Sequence, residues 1–347
     1  MDSTSSSNQQ TCVMSLCCRC LIVLLLCWSN LASLRGQDLK QAPTTSPAIR
    51  VNVNLVDVGV SVTDSSGRFV KGLRREDFKI FDSGSEQPIT SFFSNEEAAQ
   101  VVLLIEDSIS DFLLAKLGKS PFSAADALLA GVSPSDRVAI VTYSDRAKIV
   151  LDFTSDKLAA RLALKDLNSR LLSPGAGSIA LNLSESVAAT INWLASVPGN
   201  KIIVLLSTGV DTSSSGSWQA VREQLEVSDV RILAVSLFGD FRKPAKKKLT
   251  PDDIADRAYV KQGMAEADQW LNELSSVTGG KIFVPKNAKD FPRAYAEIAQ
   301  LVRGEYRLQF APSQFDGGLH SVTVKTTHGH YRLGYRKAYR APPSAGS

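Results

Sequence analysis

The chain has 347 residues, 44% hydrophobic and 21% charged, a balance that allows a substantial buried core and excludes a disordered or fibrous protein. Its formal net charge of +4 is too mild over this length to argue for nucleic acid as a partner. All five cysteines (Cys12, Cys17, Cys18, Cys20 and Cys27) lie near the N-terminus, so the rest of the chain holds no disulfide, thiol nucleophile or cysteine zinc site.

Met1 to Arg19 is polar and weakly basic, Cys20 to Trp28 is a short apolar core, and Ser29 to Gly36 is a small, polar exit. The core is shorter than the roughly 20 residues of an ordinary spanning helix. Residues 1–36 therefore read as an export signal, and the mature chain is expected to carry no membrane span. The expected destination is the periplasm, cell envelope or exterior; the alternative is an uncleaved N-terminal anchor in the inner membrane. Cys27 does not read as a lipidation site, because Leu24-Leu25-Leu26 before it offers no small residue. Gln37 to Pro47 is a linker.

Residues 48–96 form a β module. Ile49 to Thr63 alternates apolar and polar residues with the period of a half-buried strand. Phe69-Val70, Phe78 to Phe81 and Ile89 to Phe93 are further short strands, with turns at Asp64 to Gly67 and Asp82 to Gly84. From residue 97 to 303 strands alternate with helices. Val101 to Ile105 is apolar without alternation, as in a strand buried on both faces. Arg137 to Tyr143, Lys201 to Leu206, Val230 to Leu237 and Ile282 to Val284 continue the sheet, with Lys148 to Phe153 pairing back on the first of these. Helices are expected over Asp156–Leu167, Ser178–Ala195, Trp218–Val227, Arg257–Ser276 and Asp290–Val302. Phe238 to Asp256, with the basic run Arg242 to Lys248, reads as a solvated loop. Alternation of this kind predicts a mostly parallel, doubly wound α/β sheet. Glu305 to Phe310, Leu319 to Thr326 and His330 to Tyr335 return to strand periodicity in segment 304–340, followed by a disordered tail, 341–347. Three strands alone are marginal. Both β segments are therefore expected to meet in one small antiparallel sandwich with the α/β domain inserted between them.

The run Val101 to Ile105 ends in Glu106-Asp107-Ser108-Ile109-Ser110, which places oxygen ligands at the carboxyl end of a central strand, where open α/β sheets bind ligands. This pattern resembles the Asp-x-Ser-x-Ser of von Willebrand factor type A domains, with Glu106 in the place of the Asp. Asp64 to Val70, Glu76-Asp77-Phe78, Asp136 to Val141 with Tyr143-Ser144-Asp145, Leu274 to Gly280 with Ile282-Phe283, and Tyr306 to Pro312 stand in the order found in a bacterial family of exported proteins of that type. The resemblance covers roughly 300 residues.

It implies a metal-ion-dependent adhesion site, a Mg²⁺ (or Mn²⁺ or Ca²⁺) cofactor, and a protein partner that offers the cation a carboxylate. Position by position, Glu106, Ser108 and Ser110 match the first loop, and Ser178 falls where a Thr is expected. Ser207 to Asp211 falls where Ser-Asp-Gly-x-Asp is expected, with Thr208 in place of the Asp. Mg²⁺ demands near-octahedral geometry at about 2.0–2.1 Å. The longer Glu106 crowds such a site and Thr208 removes a charge. The alternative is a metal-free hydrogen-bonded cluster of Glu106, Ser108 and Ser178 under an adhesion surface. Asp107, Thr208 and Asp211 are the expected partner-binding surface.

Other chemistry has thin support. The only histidines, His320, His328 and His330, lie in the C-terminal β segment, away from any nucleophile elbow. Gly175-Ala176-Gly177 lacks the Gly-Lys-Ser/Thr ending of a phosphate loop. The expectation is an exported, non-enzymatic protein-interaction module with a degenerate metal site. The alternative is a metal-independent structural scaffold of an envelope or secreted assembly.

Overall fold

The computed structural model describes residues 55–94, 98–107, 125–171, 180–212, 218–237 and 251–344, with backbone alone for residues 171 and 251–261. The expected signal segment and linker lie outside these residues.

A six-stranded sheet forms the centre: β5 (Ala99–Glu106), β6 (Arg137–Tyr143), β7 (Ala147–Thr154), β8 (Asn200–Ser207), β9 (Arg231–Ser236) and β10 (Lys281–Phe283), in the order β10-β9-β8-β5-β6-β7. All pairs are parallel except the β6–β7 hairpin. The helices among the described residues are α1 (Asp126–Gly131), α2 (Lys157–Leu171), α3 (Leu183–Leu194), α4 (Trp218–Val227), α5 (Pro251–Val277) and α6 (Phe291–Arg303). Every residue of β5 is buried. Val101, Leu103 and Ile105 pack with residues of α1, α2 and α6 on one face. Val102 and Leu104 pack with residues of α3, α4 and α5 on the other. Two-sided burial explains the unbroken apolar run, since each such side chain contributes about 1.5–3 kcal/mol when fully buried.

The flanking segments build two four-stranded antiparallel sheets. One is ordered β13 (Arg332–Gly334), β1 (Val56–Thr63), β11 (Glu305–Phe310), β4 (Ser91–Phe93). The other is ordered β14 (Ala338–Arg340), β12 (Leu319–Thr326), β2 (Phe78–Asp82), β3 (Ser85–Gln87). Each sheet mixes strands from before and after the α/β domain. Val56, Val58, Val60 and Val62 point alternately inward against Tyr306, Leu308, Phe310, Val322 and Val324. The fold is therefore an α/β domain inserted in a small β sandwich, as the two incomplete β segments require.

Several local expectations differ from the structure. Phe69-Val70 is no strand; Phe69 makes one isolated bridge to Thr63. Helix α5 begins at Pro251, inside the stretch expected to be a loop, because proline fits the first turn of a helix. Strand β14 was not anticipated, and the tail does not become disordered at 341. Ala341 is buried, donates its N–H to Gly318 O at 2.8 Å, and Pro343 bridges Asp316.

The sandwich also holds a buried polar cluster. Asp82, fully buried on β2, accepts hydrogen bonds from the backbone and hydroxyl of Ser313 (both 2.6 Å) and from Tyr339 (3.0 Å). His320 Nδ1 lies 3.0 Å from Asp82 Oδ1, and Nε2 lies 3.1 Å from Asp316 Oδ1. Burial disfavours the imidazolium, but hydrogen bonds and charges from Asp82 and then Asp316 outweigh it and raise the His320 pKa above its ordinary 6.5. Desolvation also opposes ionised Asp82, yet its hydrogen bonds from Ser313, His320 and Tyr339 hold its pKa below 3.8. The histidine's stabilisation is complete below 6.5 and is lost as pH rises through the raised folded value; that of Asp82 is lost as pH falls through its depressed one. Unfolding free energy in urea is thus expected to decline as pH rises from the ordinary histidine value of 6.5 through the raised folded one. His320→Gln should flatten that decline, and an unchanged slope in the variant would remove this cluster as its cause.

Candidate functional site

At the carboxyl edge of the central sheet, four neighbouring strands end in polar side chains. β6 ends in Tyr143, β5 in Glu106, β8 in Ser207 and β9 in Ser236. Glu106 is in register with Tyr143, and Ser207 with Ser236. All four are essentially buried.

Glu106 is the hub. Its Oε2 accepts from the Thr208 backbone N–H at 2.7 Å and from Ser207 Oγ at 3.1 Å, with Tyr143 OH at 3.2 Å. The Thr208 hydroxyl lies 3.0 Å from Oε1 and 2.9 Å from Oε2. Ser207 Oγ in turn accepts from Tyr143 OH at 2.6 Å and from Gly209 N–H at 2.8 Å. The turn that presents these donors depends on glycine. Gly209 has φ +79°, and a Cβ there would sit 2.5 Å from Ala267 O on α5. Burial pushes the Glu106 carboxyl pKa up, against the opposing pull of the Thr208, Ser207 and Tyr143 hydrogen bonds. Burial and the neighbouring Glu106 charge push the Tyr143 phenol well above its ordinary value.

The adjoining loops are tied to one another by direct hydrogen bonds. Asp211 Oδ2 accepts from the backbone and hydroxyl of Ser184, at 2.8 and 2.7 Å, in the first turn of α3. Leu181 N–H donates to Thr212 Oγ1 at 2.9 Å, and Asn182 N–H donates to Ser144 O at 2.7 Å. Asn182 caps α3 by accepting from Glu185 N–H.

Of the residues expected to form the site, Glu106 and Thr208 come together; Ser108, Ser110 and Ser178 lie outside the described residues. Asp107 is half-buried and Asp211 exposed, so both remain accessible. Thr208 does not belong to the surface where it was expected. It is 5% exposed, and its backbone and hydroxyl are committed to Glu106. Tyr143 and Ser207 were missed as members of the cluster. The available signal is positional: each is the last residue of an apolar strand adjacent to β5, level with Glu106.

A doubly wound sheet of this order, with hydroxyls and a carboxyl gathered at its carboxyl edge, defines a Rossmann-like α/β domain with a loop-built site. The von Willebrand factor type A domain pattern matches residues 122–296, half of the chain, and the chain belongs to that family. An aerotolerance-related membrane protein from Bacteroides fragilis, carrying multiple mutations to serines, is 15% identical (TM-score 0.43), with 59% of this chain and 98% of that one covered. Conserved hypothetical protein BatB from Bacteroides thetaiotaomicron is 14% identical (TM-score 0.40), with 59% and 100% covered. Proximal thread matrix protein 1 from the mussel byssus, with a zinc-occupied metal-ion-dependent adhesion site, is 11% identical (TM-score 0.40), with 59% and 48% covered. No curated protein matches the chain.

Because folding raises the Glu106 pKa, it favours the protonated acid. That contribution is complete below the ordinary carboxylate range and vanishes as pH rises through the raised value. Glu106→Gln should fold and show a flatter fall of stability with rising pH. Glu106→Ala should cost about 1–3 kcal/mol for each buried donor left without a partner. Urea unfolding of both variants at two pH values checks this, and equal losses in the two would refute it.

Proposed function

We propose that this chain is an exported, non-enzymatic protein-interaction module that meets its partner at the carboxyl edge of the α/β sheet without a resident cation. The family supports the interaction role. The observation that carries the metal-independent reading is the state of Glu106: its carboxyl oxygens are occupied by donors from Thr208 and Ser207. A divalent ion needs those lone pairs, together with further oxygen ligands at fixed geometry. The described residues do not fit that requirement. Thr208 turns a proton toward Glu106 where the family pattern has a second carboxylate.

The non-enzymatic reading is supported by what the polar groups face. Ser207 Oγ contacts a carboxyl and a phenol, and His320 Nε2 is held by Asp316 rather than by a nucleophile. Export is supported by the N-terminal segment of the sequence. Among the described residues no helix is long and apolar enough to cross a membrane.

The first test is calorimetric titration of Mg²⁺ and Mn²⁺ into the wild type and Glu106→Ala. Neither protein should give saturable heat. Saturable binding by the wild type that the variant loses would restore a cation-bridged mechanism. The second test places a photo-crosslinking side chain at Asp107 or Asp211, with Leu158 on the outer face of α2 as control. A discrete crosslinked protein is expected from the first two positions alone, unchanged by EDTA. Crosslinks confined to positions on the sandwich edges would favour the scaffold reading.

A further inference from the structure

The polar cluster of the sandwich holds a segment that has no buried side chain of its own. Between β11 and β12 the chain buries Pro312, and from Ser313 to Leu319 no residue is buried. Phe315 and Leu319 both stand exposed. A segment with so little apolar contact is kept in place by its polar contacts. At its start, Ser313 donates to Asp82 from backbone and hydroxyl. In its middle, Asp316 Oδ1 faces His320 Nε2 at 3.1 Å. At its end, Gly317 O accepts from Arg340 Nη1 at 3.3 Å. The C-terminal segment rests on it in turn, since Ala341 N–H donates to Gly318 O and Pro343 bridges Asp316.

His320 serves two carboxylates at once, Asp82 through Nδ1 and Asp316 through Nε2. The Gly318 N–H, and after it His320, hold the Asp316 carboxyl below its ordinary range, so it is ionised wherever the histidine titrates. Ionised carboxylates only accept, so both ring nitrogens must donate, and that takes the imidazolium. A neutral ring has one proton to give, and the other carboxylate then faces a lone pair.

Burial decides which carboxylate loses. Asp82 is fully buried, where a charge deprived of a donor is costly, whereas the Asp316 side chain is 47% exposed and can turn to water. The proton therefore stays on Nδ1, and Asp316 is let go. The other groups around the ring do not replace it. Tyr339 of β14 donates to Asp82 at 3.0 Å, and burial, then Asp82, push its phenol above the ordinary value. Arg340 of β14 is paired with Glu226 of α4 at 2.9 Å.

We propose that His320 is a proton-operated latch: protonated, it clamps residues 314–318 and the segment from Ala341 onward over the Asp82 cluster, and deprotonated, it releases them while Asp82 keeps the ring and the β2–β12 pairing in place. The test is amide hydrogen exchange of the full chain against pH, corrected for the intrinsic pH dependence, in peptides spanning residues 313–319 and 338–344, with residues 78–82 as the reference. Exchange in the first two should rise by up to about tenfold per pH unit as pH climbs above 6.5 through the raised value, and then level off. The reference should not follow. His320→Gln, with no proton to take up, should exchange fast in the loop at every pH. Should that variant fail to fold, Asp316→Asn keeps His320 on Asp82 and should likewise abolish the pH dependence. A wild-type loop whose corrected exchange is flat with pH, or one that rises only in step with the reference, would overturn the proposal.

Discussion

An inserted domain must leave and re-enter its host at one place, and the polar seam around Glu305 is where this chain meets that constraint. β4 ends at Phe93 and β5 begins at Ala99; α6 ends at Arg303 and β11 begins at Glu305. Both crossings fall at the amino edge of the parallel strands. Glu305 meets Arg231 of β9 and Asn200 of β8 from that position, and it occupies the volume that any side chain on Gly59 would need. Buried ion pairs of this kind add little net stability, but removing one partner costs about 3–5 kcal/mol. The seam therefore resists change more than it drives folding, and the folding drive comes from the three apolar cores.

Pinning the amino edge leaves the carboxyl edge free. In an open α/β sheet that is also the edge where the helices begin and the loops converge. The consequence is a division of polar groups along the same strands. β9 carries Arg231 at one end and Ser236 at the other; β8 carries Asn200 and Lys201 at one end and Ser207 at the other. Between them every side chain is buried. The apolar middle fixes the register, and the register sets which polar residues become neighbours at each end.

Much of this was legible in the sequence. The unbroken apolar runs of β5, β8 and β9 could only be two-sided burial, and the alternation of β1 and β12 could only be one-sided. The sandwich followed from two β segments too small to stand alone. What was not legible depended on contacts between distant residues. Periodicity gives no sign that Tyr143 and Ser207 turn toward Glu106, because in an apolar strand the last residue reads equally as surface. Thr208 looked exposed because it sits in a turn between a strand and a helix. It is buried because the turn folds back over the strand end and Glu106 draws both its N–H and its hydroxyl inward. In the sequence His320 is one of three histidines in the C-terminal β segment, with nothing to set it apart. Its partners Asp82 and Asp316 come from another strand and a loop, and no local pattern announces them.

On the metal-independent reading proposed above, Glu106 and Thr208 depart together from the pattern that the sequence resembles, and the geometry offers a reason. The pattern that the sequence resembles has an aspartate at each of these two positions. Here one carboxyl and one hydroxyl meet directly, at 2.9–3.0 Å. Shortening Glu106 to aspartate while keeping Thr208 would leave a gap and unpaired donors. Restoring aspartate at 208 while keeping Glu106 would press two carboxyls together in a buried site, where like charges and desolvation both oppose ionisation. Each change alone is unfavourable without a metal, and the two together make a closed hydrogen-bonded unit. The longer arm supplies the reach and the hydroxyl supplies the proton, and on the metal-independent reading proposed above this contact does the joining that a cation would otherwise do.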